Sequence, residues 1–164
     1  MDQKEFLQSK LPDHATLQHK LHIWRFKGQR IVFTNGCFDL LHPGHIHILT
    51  EAREMGDVLI VGLNSDVSIG GLKGPSRPIM DQYARSLLLS SFSFVDAVVL
   101  FDEPTPIDLI LVVKPDVLVK GGDYNANDIV GAKEVQSWGG KVEIVPFLPG
   151  YSTTAIEERI KKGK

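Results

Sequence analysis

The sequence holds one cysteine in 164 residues, Cys37, so no internal disulfide can brace the fold. No apolar run approaches the ~20 residues that a membrane helix requires. The opening residues, MDQKEFLQSK, alternate acid and base and contain no apolar signal core. Charge of one sign is also scarce: 18 Lys+Arg against 20 Asp+Glu leave a net −2, too little to hold a nucleic-acid backbone or an anionic membrane. Two familiar nucleotide signatures are missing as well. Neither Gly-x-Gly-x-x-Gly after the first strand nor Gly-x4-Gly-Lys-Ser/Thr occurs, so hydride transfer and P-loop hydrolysis lose ground. These absences point to a cytoplasmic protein with a small-molecule partner and with neither nucleic acid nor membrane involved. A local basic pocket for a small phosphate remains compatible with the charge balance.

What is present is ordinary globular composition, 43% hydrophobic and 23% charged, which excludes disorder and coiled coil. The length suits one core. Residues 1–28 read as a helical extension packed on the main domain. Asp13 can cap a helix whose Leu17, Leu21 and Trp24 form one apolar stripe, and Gly28 ends it. Residues 29–164 form the main domain. There, short apolar runs begin at Ile31 (IVFTNGCF), Val58 (VLIVGLNS), Ala97 (AVVLF), Val117 (VLVKGG) and Lys141 (KVEIVPF). Helical patterns lie between and after them at His45–Met55, Asp81–Phe92, Pro106–Val113, Ala132–Trp138 and Thr154–Ile160. Strands apolar on both faces belong to a covered parallel sheet, and the alternation predicts an α/β fold, a Rossmann-like doubly wound sheet of five parallel strands. Ligands of such sheets sit beyond the carboxyl ends of the strands.

The first of those ends reads Thr34-Asn35-Gly36-Cys37-Phe38-Asp39-Leu40-Leu41-His42-Pro43-Gly44-His45 and runs straight into a helix. Gly36 permits a sharp turn, and Pro43-Gly44 set His42 before the helix and His45 in its first turn. Free N–H groups at the positive end of the helix, with two imidazoles aimed at them, describe a triphosphate cradle.

This passage resembles the His-x-Gly-His signature of the cytidylyltransferase-like nucleotidyltransferase superfamily. Further counterparts of that family's motifs follow in order: Lys73 and Arg77 after the second strand, Arg85 on the next helix, Val119-Lys120-Gly121-Gly122-Asp123-Tyr124, and Ser152-Thr153-Thr154. Order and spacing are most similar to the adenylyltransferase half of the bifunctional ADP-heptose synthases, over roughly residues 28–163. The resemblance implies the five-stranded nucleotidyltransferase sheet of the HUP type. It also implies transfer of AMP from ATP to D-glycero-β-D-manno-heptose 1-phosphate, giving ADP-heptose and pyrophosphate for lipopolysaccharide. By the same resemblance His42, His45, Lys73 and Arg85 are the catalytic residues. Thr34, Asn35, Gly36, Cys37, Phe38, Gly44, Lys120, Gly121, Asp123, Ser152, Thr153 and Thr154 bind the nucleotide. Asp39, Asn64, Asp66 and Arg77 meet the acceptor, and Asp39 also meets Mg²⁺ brought by the triphosphate. A homodimer and a heptose kinase on a separate chain are expected on the same ground. Cytidylyltransferases of the superfamily carry an Arg-Thr pair before the Ser-Thr motif, whereas this chain reads Phe147-Leu148-Pro149-Gly150-Tyr151, which favours ATP over CTP.

Plainer readings stand beside these. His42, His45 and His47 resemble a metal site, yet no Glu separates them as in a His-Glu-x-x-His helix, and Pro43-Gly44 exclude a regular helix there. His14, His19, His22 and His47 are left without a role. Lys73 and Arg77 in a Gly/Pro-rich loop can be solvated cations, and Arg85 can pair with Asp81 one turn earlier. Ser152–Thr154 can be an N-cap, Gly121-Gly122 a tight exit, and Cys37 a small filler. Two further functions remain open: transfer to another acceptor such as FMN, glycerol 3-phosphate or a different sugar 1-phosphate, and nucleotide binding without turnover.

Overall fold

A computed structural model describes residues 2–163. Met1 and Lys164, which begin and end the two expected segments, lie outside the described residues. Five strands form one all-parallel sheet in the order β3-β2-β1-β4-β5: β1 (Ile31–Gly36), β2 (Val58–Asn64), β3 (Ala97–Phe101), β4 (Val117–Gly121) and β5 (Lys141–Val145). The chain winds outward from β1 through β2 to β3 and then returns to place β4 on the other side of β1. Strand order therefore reverses between β1 and β4, and the loops leaving those two strands part to open a crevice.

Alternation along each strand divides the core in two. Ile31 and Phe33 face the layer of α2 (His14–Phe26), α6 (Ile107–Val113) and α7 (Ala132–Ser137); Val32 faces α3 (Pro43–Glu54) and α5 (Gln82–Ser90). The second strand is buried along its whole length, as a strand covered on both faces should be. Strand β5 differs from the expected pattern: it is a sheet edge, and Lys141 and Glu143 are exposed.

Asp13 caps α2 by accepting from the Thr16 N–H at 2.8 Å. Leu17 and Leu21 of that helix are completely buried against β1, β2 and α6, each stabilising the fold by about 1.5–3 kcal/mol. Gly28 turns the chain out of α2 with φ +68°.

Two helices were not legible in the hydrophobic pattern. The first, α1 (Gln3–Ser9), is set by a capping box in which Asp2 and Glu5 bond each other's backbone N–H. The second, α4 (Asp66–Lys73), contains Gly70-Gly71 and was expected to be loop. Ser65 caps it, and burial of Ile69 holds it to the domain, which offsets the roughly 1 kcal/mol that each helical glycine costs. Lys73 is thus the last residue of a helix, and the loop begins at Gly74. A final helix, α8 (Thr153–Lys161), follows β5 and has no buried residue.

Candidate active site

The exit of β1 is shaped by two residues that rarely adopt its conformation. Phe38 (φ +47°) and Leu40 (φ +51°) are left-handed, a state that costs a non-glycine residue roughly 1–2 kcal/mol. Burial of Phe38 at 5% exposure holds the first. A Cβ at Gly36 would stand 3.1 Å from that ring, so glycine lets the phenyl fold over the strand end.

His42 is the N-cap of α3. Its Nδ1 accepts from the Gly44 N–H at 3.1 Å, so the neutral ring carries its proton on Nε2. A Cβ on Gly44 would lie 2.9 Å from that imidazole, which explains a glycine between the histidines. The rings of His42 and His45 stack at 3.8 Å, and Phe38 tilts against His45 at 5.3 Å. Burial, the neighbouring His42 and the Lys73 ammonium push the His45 imidazole down to about 4; burial lowers His42 too. Both rings are therefore uncharged at neutral pH. Nδ1 of His45 is buried and has no hydrogen-bond partner among the described residues, at a cost of roughly 1–3 kcal/mol.

The backbone donors differ from expectation. His45 N–H bonds the His42 carbonyl at 2.9 Å, and Gly44 N–H is taken by the His42 ring. The start of α3 thus offers imidazole N–H groups and its dipole rather than free amides. At the start of α8 Ser152 Oγ accepts from the Ala155 N–H at 3.1 Å. The N–H groups of Thr153 and Thr154 have no partner among the described residues.

Two chambers meet here. One, of 560 Å³, is lined by Thr34, Asn35, Gly36, Cys37, Phe38, Asn64, Lys73, Lys120 and Gly121. The other, of 500 Å³, is lined by His42, Gly44, Ser152 and Thr153. His45, Ile48 and Phe147 belong to both. In the first chamber Lys120 Nζ donates to Asn35 Oδ1 at 3.3 Å; burial pushes this ammonium down, with Cys37 acting in the opposite direction. Cys37 Sγ lies 4.0 Å from Asn64 Oδ1, and Asn64 Nδ2 donates to Ser68 Oγ at 3.0 Å. A Cβ at Gly121 would come within 2.2 Å of Ile48 Cδ1, so α3 rests directly on the end of β4. A larger hollow of 670 Å³ beside β3, α2 and α5 contains none of the candidate residues.

Six candidates line neither chamber: Asp39, Asp66, Arg77, Arg85, Asp123 and Thr154. Asp123 is exposed. Arg85 is fully buried, and its guanidinium is spent inside the protein. It donates to the carbonyls of Met80 (2.9 Å), Cys37 (2.7 Å) and Asn64 (2.8 Å) and to Asp66 Oδ1 (2.7 Å). The expected contact with transferring phosphate, and the alternative pairing with Asp81, both give way to this clamp under the loops, which also occupies Asp66. Asp39, 4% exposed, accepts from Arg77 (3.0 Å) and from the N–H groups of Ile79 (2.8 Å) and Met80 (3.0 Å). Burial alone would raise its carboxyl, but these donors outweigh it and hold the group below the ordinary range. Buried and lining neither chamber, Asp39 is not placed to meet Mg²⁺ or a sugar hydroxyl there. Among the described residues no group of three or more His, Cys, Asp or Glu could hold a metal. Arg77 is likewise committed, to Asp39 and to Glu157.

Leu72 and the Pro104-Thr105-Pro106 segment line the chambers with no sequence motif to mark them, and Tyr124, Phe147 and Tyr151, which stand in quoted motifs without an assigned role, line them as well. Leu72 is hidden inside α4, while the others follow β3, β4 and β5 at the same end of the sheet.

Residues 33–159 match the family described as cytidylyltransferase-like. The bifunctional protein HldE of Acidiphilium cryptum is 55% identical over 138 residues, covering 84% of this chain and 28% of that protein. HldE of Koribacter versatilis is 53% identical over 152 residues, covering 93% of this chain and 31% of that protein. The chain thus spans about three-tenths of the length of these curated relatives. Among solved structures, the lipopolysaccharide core biosynthesis protein from Thermoplasma volcanium superimposes with a TM-score of 0.61 at 32% identity, covering 74% of this chain and 98% of that one. Since the matched segment runs from inside β1 into α8 and includes every strand end that builds the two chambers, the chain belongs to the cytidylyltransferase-like family of nucleotidyltransferases.

Proposed function

We propose that the protein transfers AMP from ATP to the phosphate of D-glycero-β-D-manno-heptose 1-phosphate, giving ADP-heptose and pyrophosphate. The observation that carries this reading is the neutral His45 imidazole, stacked on His42 and shared by both chambers. One chamber opens on the start of α8, and the other holds Lys73 and Lys120. HldE relatives and a lipopolysaccharide core biosynthesis protein among similar structures support a heptose acceptor. The Phe147–Tyr151 segment, in place of an Arg-Thr pair, supports ATP.

In the reaction an anionic oxygen of the acceptor phosphate bonds to the α-phosphorus of ATP. The bond from that phosphorus to the oxygen bridging to the β-phosphate breaks, and pyrophosphate leaves with the electron pair. The attacking oxygen already bears charge, so no general base is required; alignment and charge stabilisation do the rest. His42 donates from Nε2, because Nδ1 is held by Gly44. His45 donates beside it, Lys73 supplies positive charge at the reacting and leaving phosphates, and Lys120 supplies it to the nucleotide. The Thr153 and Thr154 amides receive the β- and γ-phosphates at the start of α8. Preorganised donors at the transferring phosphate, here the two imidazoles, are each worth about 10²–10³ in turnover. Mg²⁺ arrives on the triphosphate and is assigned to no side chain. The chain works as a cytoplasmic homodimer, with the acceptor supplied by a heptose kinase activity.

Pyrophosphate release tests the proposal, with ATP and CTP each crossed with heptose 1-phosphate, glycerol 3-phosphate and FMN in the presence of Mg²⁺. Release with ATP and heptose 1-phosphate alone is expected. Release with CTP or another acceptor would replace that half of the proposal. ATP binding with no release in any combination would make the protein a nucleotide-binding module.

A further inference from the structure

Helix α8 is lightly anchored: none of its residues is fully buried, and Ala155 and Ile156 are only half-buried, so hydrophobic packing holds its first turn weakly. Among the described residues its side-chain ties to the rest of the protein lead, directly or through Arg77, to one loop residue, Asp39. Thr153 Oγ1 donates to the Asp39 carbonyl at 3.1 Å. One turn further along α8, the buried Glu157 Oε1 makes an ion pair with Arg77 that is not a hydrogen bond, and the other arm of Arg77 bonds Asp39 at 3.0 Å. The three side chains of that triad are well shielded, with exposures of 18% for Arg77, 19% for Glu157 and 4% for Asp39, so solvent screens the pairs less than at an open surface. Asp39 in turn is stitched to the segment before α5 by Ile79 and Met80, and three residues later the same loop becomes the His42 cap.

We propose that Arg77 and Glu157 are positioning residues that latch α8 to the Asp39 loop and so hold its phosphate-binding first turn at a fixed distance from His42 and His45. The inference rests on the reading that this first turn receives the triphosphate. It reassigns Arg77 from acceptor binding to alignment and gives Glu157 a role.

The sign of one substitution separates alignment from electrostatics. Two carboxylates and one guanidinium leave the triad with one net negative charge, which opposes a triphosphate. If the triad acted only through charge, Glu157→Gln would tighten ATP binding. As a latch it must do the reverse, because the neutral side chain frees α8 to drift while the chemistry of the imidazoles is untouched. The expected result is an ATP KM raised about tenfold with kcat changed less than about threefold. Amide exchange over residues 153–161 should accelerate about tenfold while the rest of the protein keeps its protection. Glu157→Asp should recover part of both, and Arg77→Lys, which keeps the charge but loses the two-armed fork, should loosen α8 in the same direction. An unchanged or lower ATP KM in Glu157→Gln, or unchanged exchange in α8, overturns the latch. Loss of protection throughout the protein in both Glu157→Gln and Arg77→Lys overturns it too, by making the triad a general support of the fold. Absence of turnover in the unmodified protein would instead count against the proposed reaction, and exchange would still decide the latch.

Discussion

Arg85→Met replaces a fully buried guanidinium with an apolar chain of similar length. Four bonds disappear at once, to the carbonyls of Met80, Cys37 and Asn64 and to Asp66. Each buried acceptor left without a donor costs roughly 1–3 kcal/mol, and breaking a buried ion pair costs about 3–5 kcal/mol. Asp66 is partly exposed and recovers water, so a total of about 4–6 kcal/mol is a fair working figure, against the 5–15 kcal/mol of a typical domain. For a chain of this size each kcal/mol moves the midpoint by about 2–4 °C, which predicts a fall of about 10–20 °C. Thermal unfolding followed by circular dichroism measures it, with pyrophosphate release recorded on the same samples well below the midpoint. Arg85→Lys should lose less, since one ammonium restores charge against Asp66 but not the fork. A midpoint within about 2 °C of the parent together with abolished turnover would refute the argument and return Arg85 to direct contact with phosphate.

Acid should destabilise the protein through His45. Its folded-state value of about 4 lies below the ordinary 6.5, so the unfolded chain takes up the proton first; the contribution is complete above pH 6.5 and is lost as pH falls towards 4. Urea unfolding across that interval should show about 1–2 kcal/mol of loss after allowance for partial exposure of the ring, and His45→Gln should flatten the slope; an identical slope in the variant would count against it. Gly121→Ala should cost about 1–3 kcal/mol through overlap with Ile48, and Ile48→Val should relieve part of it; additive losses by chemical denaturation would refute the direct contact. Leu21→Ala should cost about 2–5 kcal/mol, because the side chain is wholly buried between α2 and the sheet; a loss below about 1 kcal/mol would mean that α2 is not part of the cooperative core.

The parallel sheet was legible because every strand except β5 is largely buried and reads as an apolar, β-branched run. The imidazole cradle was legible for a local reason: Pro43, Gly44 and both histidines act within one turn of one helix. What escaped was non-local. Nothing near Arg85 in the chain announces that carbonyls from the end of β2 and from two loops converge on it, and its acidic partner is 19 residues away rather than one turn back. Asp39 reads as a free carboxylate until the N–H groups of Ile79 and Met80, about 40 residues on, fold against it. Helix α4 was hidden by Gly70-Gly71, whose low propensity is overridden by the Ser65 cap and the burial of Ile69. Helix α1 carried its signal openly in the Asp2/Glu5 spacing, but it is too short for a hydrophobic stripe to draw attention to it.

Following the nucleotidyl group itself tests the central claim most directly. ATP labelled at the α-phosphorus is incubated with the protein, Mg²⁺ and heptose 1-phosphate, and the products are separated. The account predicts that the label moves into a sugar nucleotide with the mass of ADP-heptose, in equal amount to unlabelled pyrophosphate. Label that stays in ATP while the protein still binds it, or that emerges as free AMP, would contradict it.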